Sequence, residues 1–136
     1  MLAISGEKLI ARLEDGTLPA ESFHHEDHVK VVFHSLRKYP ATEVLRRFPE
    51  ALVRFSTAHG KPGLYHETIT WAFVLLIRER MERGANDQTW EEFAETNSDL
   101  LNWKDNILRK YYRKETLASE LARNVFLLPD KLATPD

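Results

Sequence analysis

A chain of 136 residues with 43% hydrophobic and 29% charged residues has the make-up of a folded globular protein, which excludes an intrinsically disordered one. Its formal charge is −2 and its basic residues are scattered among acids, so neither a nucleic-acid stripe nor an anionic membrane partner is expected. It has no cysteine, which excludes disulfides, thiolate zinc sites and cysteine nucleophiles.

Met1 to Glu14 mixes acids with apolar residues and has no long apolar core, so no signal peptide is expected there. Ser5 to Asp15 predicts a first helix with Leu9, Ile10 and Leu13 on one face, stopped at Asp15-Gly16. A second helix is expected from Phe23–His25 to Lys38, ending before Pro40. Thr42 reads as the N-cap of a third, with Leu45, Phe48, Leu52 and Phe55 in a stripe. Pro49 lies inside that stripe and predicts a kink or a junction of two helices. Gly60 and Pro62-Gly63 close the segment.

Tyr65 to Arg83 predicts a fourth helix, apolar nearly all round from Ile69 to Ile77 and therefore central. Its longest apolar run, Trp71 to Ile77, is far too short to span a membrane. Gly84 is expected to end it in the left-handed conformation. Thr89 or Asp87 can cap a short helix carrying Trp90 and Phe93, Ser98 to Tyr112 predicts another, and Glu115 to Val125 a last one. The tail from Pro129 to Asp136 is expected to be mobile or laid on the surface. No repeat or linker interrupts the chain. The expectation is one all-α domain over residues 1–136, a compact bundle of about five or six helices around the fourth, soluble and cytoplasmic.

Two clusters carry candidate chemistry. In Phe23-His24-His25-Glu26-Asp27-His28, the pairs His25/His28 and His24/His28 sit at helical spacing and could present two imidazoles to one ion. The plainer alternative is a solvated helix start whose acids favour the dipole. In Tyr65-His66-Glu67-Thr68, Glu67 opens a buried helix and needs a partner, because an unpaired buried charge costs several kcal/mol. Here the alternative is an N-terminal Glu on the dipole beside a satisfied core histidine.

If both helix starts converge, His25, His28, His66 and Glu67 form a mixed nitrogen and oxygen shell for a divalent transition-metal ion. His59 could join it, whereas His34 faces elsewhere. Ser22 makes no nucleophile elbow, no phosphate loop exists, and Tyr111-Tyr112 among basic residues reads as a helix with one tyrosine buried and its charges solvated.

Phe23 to His28, Ala58-His59-Gly60, Tyr65 to Thr68, Asn97 to Leu100, Tyr111-Tyr112, Leu117 to Arg123 and Pro129-Asp130 together resemble a group of small bacterial proteins without an assigned activity. The resemblance implies a self-contained bacterial domain and no mechanism. The leading expectation is a metal-binding protein, extending to a metalloenzyme, with Glu67 as ligand or general base and Asp27 orienting an imidazole. One rival is a non-enzymatic helical interaction module. The other is a metal-free small-molecule pocket in which Tyr65, His66 and Glu67 bind a polar ligand.

Overall fold

The structure, a computed structural model, describes residues 5–131 apart from the side chains of Ser22 and Pro62. Among the described residues there are helices and turns and no strand. Five helices have seven residues or more: α1 (Gly6–Asp15), α2 (His25–Lys38), α3 (Ala41–Ala58), α4 (Glu67–Arg83) and α5 (Trp90–Thr96). Three shorter ones follow, α6 (Ser98–Leu101), α7 (Lys114–Leu117) and α8 (Glu120–Asn124). Single 3₁₀ turns lie at Ala20–Ser22, Pro62–Leu64 and Ile107–Lys110.

The long helices form where the sequence places them, and their ends have local causes. Ser5 caps α1 by accepting the Lys8 amide at 3.3 Å, and Gly16 stops it at φ +79°, a left-handed conformation that glycine adopts without strain. Pro40, in an extended conformation, stands at the N-cap of α3, so Thr42 lies inside the helix instead of capping it. Pro49 does not divide α3, which is one helix from Ala41 to Ala58 with Val44, Phe48, Ala51 and Leu52 buried. Burying each large side chain of that stripe contributes about 1.5–3 kcal/mol, enough to offset the hydrogen bond that proline removes. Gly84 ends α4 with φ −91° and ψ −171°, extended where the left-handed form was expected.

The stretch from Ser98 to Tyr112 is not one helix. Asn102 accepts the Asp105 amide at 3.1 Å and Asn106 accepts the Leu108 amide at 2.9 Å. These local bonds compete with helix formation, and the chain turns between them. Ser119 likewise divides the last predicted helix, capping α8 through the Ala122 amide at 3.1 Å.

α4 packs against α2, α3 and α8, while α2 also meets α1, α5 and α6. One contiguous core runs through Val29, Val32 and Phe33 of α2, Val44 of α3, Val74 and Ile77 of α4, and Phe93, Leu100 and Leu108 beyond them. Residues 125–131 are tied down rather than loose. The Tyr112 hydroxyl donates to Leu127 O at 2.7 Å, and Asp130 accepts the Arg113 amide at 3.0 Å. The expected tail beyond residue 131, like the first four residues, lies outside the described residues. No helix among the described residues is long and apolar enough to cross a membrane.

Candidate functional site

The starts of α2 and α4 and the end of α3 meet around a cavity of about 520 Å³. The two histidine-bearing helix starts therefore do converge, and His25, His28, His59 and His66 all line this space. Its walls are otherwise mainly apolar, with Phe23, Val32, Phe48, Leu52, Phe73 and Ile77 among them. Lys61, Leu64 and Trp103 are exposed lining residues and mark its mouth.

The four imidazoles differ in what they hold. A carbonyl oxygen only accepts, so each nitrogen facing one carries a proton. His25 Nε2–H donates to Leu100 O at 2.9 Å, His59 Nε2–H to Leu18 O at 3.1 Å, and His66 Nε2–H to Leu117 O at 2.8 Å. The other nitrogen of His66, Nδ1, accepts the Ile69 amide at 3.1 Å and caps α4. His66 is thus saturated by backbone, as a helix cap bridging to the segment before α8. It is one of the rarer N-cap types, but its ring nitrogen plays the part that a Ser or Asp oxygen plays elsewhere.

His28 is the exception. Its ring stacks on Phe23 at a centroid distance of 4.1 Å and meets the edge of Phe48 at 6.3 Å. The His25 ring lies 6.4 Å away. No hydrogen bond to His28's ring is found among the described residues, yet no buried side-chain nitrogen or oxygen there lacks a partner. The ring is therefore not sealed off from solvent, and His28 lines the cavity. Burial pushes its pKa down to about 3, with the neighbouring His25 and His24 charges adding to the shift. Burial also lowers the pKa of His25, against the opposing bond to Leu100 O. Both rings are neutral at pH 7 and able to offer a lone pair.

The remaining predicted residues are committed elsewhere. Asp27 accepts the His24 amide at 3.0 Å, closing the first turn of α2 instead of orienting an imidazole. Glu67 does not line the cavity; its carboxylate accepts the Tyr65 hydroxyl, whose pKa is raised by burial and by that bond. Glu67 is half-exposed and its partner is a tyrosine, so it is not an unpaired buried charge. His34 faces α1, with its ring directly over Gly6.

This geometry overturns the metal-binding expectation. Among the described residues no group of three or more His, Asp or Glu side chains comes together to hold a metal ion. The physical reason is that the single lone pair of His66 Nδ1 is spent on the Ile69 amide, while the carboxylates of Glu67 and Asp27 are engaged by Tyr65 and by the His24 amide and neither lines the cavity. The divalent-ion shell of His25, His28, His66 and Glu67 does not form, although its three histidines line one cavity.

Sequence reasoning missed Trp103, Lys61 and Arg123. Trp103 lies against His25 at 4.9 Å, and Arg123 donates from Nη1 to Gly63 O at 2.7 Å. All three look like ordinary loop or helix-surface residues until the fold brings their segments to the cavity. Comparison with family models, with curated protein sequences and with solved structures finds no match to this chain.

Proposed function

We propose that the protein binds a small, largely apolar organic molecule in the cavity shared by α2, α3 and α4. The observation that carries this reading is His28. Its ring stacks on Phe23, meets the edge of Phe48, has no hydrogen bond among the described residues and lines a space of about 520 Å³. A neutral imidazole has one donor and one acceptor, so a ligand hydroxyl or amide in the cavity can pair with it in place of solvent. A cavity of a few hundred Å³ with apolar walls and a few convergent polar groups has the character of a ligand site. A cytoplasmic setting is consistent with a chain that carries no cysteine.

Titration calorimetry with octanol as the probe tests the reading. One-to-one saturable binding is expected, weakened at least tenfold in Ile69→Trp, which places an indole inside the cavity while α4 keeps its helical circular dichroism. Binding that is absent, or identical in the two proteins, would remove the proposal.

A further inference from the structure

The charged groups around the cavity are all of one sign. The chain as a whole has more acids than bases, 21 against 19. Yet Lys61 and Arg123 line the cavity and no aspartate or glutamate does, among the described residues. Neither cation has an ion-pair partner there.

Arg123 is also held in place. Its Nη1 donates to Gly63 O at 2.7 Å and reaches Tyr65 O at 3.4 Å, which fixes the guanidinium over the α3–α4 connection, two residues on from Lys61. A guanidinium has five N–H donors, so several remain for another acceptor. Apart from these two cations and the histidines, the lining is mainly aromatic and aliphatic, and the exposed mouth residues Leu64 and Trp103 are themselves apolar.

We propose that the occupant is an amphipathic organic anion, a medium-length carboxylate whose apolar body lies among Phe48, Leu52, Phe73 and Ile77 and whose head group meets Lys61 and Arg123 at the mouth. This rests on the ligand-site reading above and adds the class and orientation of the ligand. The physical basis is complementarity. A carboxylate on a guanidinium makes a charge-assisted, often bidentate hydrogen bond, stronger than a neutral pair, while an amine at the same place meets two like charges. An apolar body alone would not choose between them.

The test compares octanoate, octanol and octylamine by titration calorimetry on the full chain at neutral pH. Octanoate is expected to bind about tenfold more tightly than octanol, although octanol is the more hydrophobic molecule, and octylamine to bind most weakly. In Lys61→Gln with Arg123→Gln the preference should fall to parity while octanol affinity stays within about twofold. Raising salt in the unaltered protein should weaken octanoate and leave octanol unchanged, which keeps the test open if the double variant folds poorly. Octanoate and octanol binding alike, octylamine binding best, or a preference that survives both the substitutions and the salt would overturn the anion inference while leaving the cavity a ligand site. Failure of all three compounds to bind would end both proposals.

Discussion

At His66 both ring nitrogens are committed to backbone, one to the Ile69 amide and one to Leu117 O, so the residue holds two distant segments of the chain together. His66→Ala should therefore destabilise the fold by about 1–3 kcal/mol, the combined loss of a cap and a partly buried bond. His66→Asn should recover the cap portion only, and urea denaturation of the two variants will separate the contributions. At His28 the consequence is a pH dependence. Its folded pKa of about 3 lies below the ordinary histidine value, so between those limits the unfolded chain binds more protons than the folded one. Stability is then complete above about pH 6.5 and lost as pH falls toward 3, by about 2 kcal/mol between pH 6 and pH 4. The lowered pKa values of His25 and His34 act in the same direction. In His28→Gln the fall in melting temperature from pH 7 to pH 4 should be visibly shallower. A slope equal to that of the unaltered protein would show that His28 does not titrate in this way.

The elements are joined by a few close or fully buried contacts. α1 lies so near α2 that a Cβ on Gly6 would sit 2.1 Å from Cδ2 of His34. Gly6→Ala should cost about 1–3 kcal/mol through this overlap, and His34→Ala in the same chain should relieve most of it, as thermal denaturation of the double variant would report. Thr68, fully buried in the first turn of α4, anchors the C-terminal segment. Its hydroxyl lies 2.7 Å from Ala122 O and 2.8 Å from Val125 O, and it accepts the Leu127 amide at 3.1 Å. Thr68→Val keeps the shape but leaves those groups unpaired, and should cost about 1–3 kcal/mol, with amide exchange of Leu127 accelerating before that of α2. Arg80 plays a comparable part at the other end of α4, reaching Asn97 at 2.9 Å and Asp99 at 2.7 Å. Helices α1 to α5 were legible in the chain because apolar periodicity, caps and glycines agree with one another there. Ser98 to Tyr112 was not. Its apolar spacing suits a helix, but Asn102 and Asn106 bond their own neighbouring amides, and periodicity alone does not weigh that competition.

For the molecule as a whole, the cavity is the feature that no local pattern announces. Phe23, Phe48, Leu52 and Phe73 have the spacing of core residues, and whether such faces meet flush or leave a gap depends on how three helices cross. The chain by itself determined the all-helical class, the positions of the five longer helices and the siting of histidines at two helix starts, because these follow from periods and caps within short stretches. It also placed Glu67 at the start of a buried helix, where a partner was expected. Only the tertiary structure decided that Glu67 is half-exposed and paired with Tyr65, and which imidazole nitrogens were already engaged by backbone. A lone pair's availability depends on carbonyls and amides as far as 75 residues away, as with His25 and Leu100, and spacing along a chain carries no information about them.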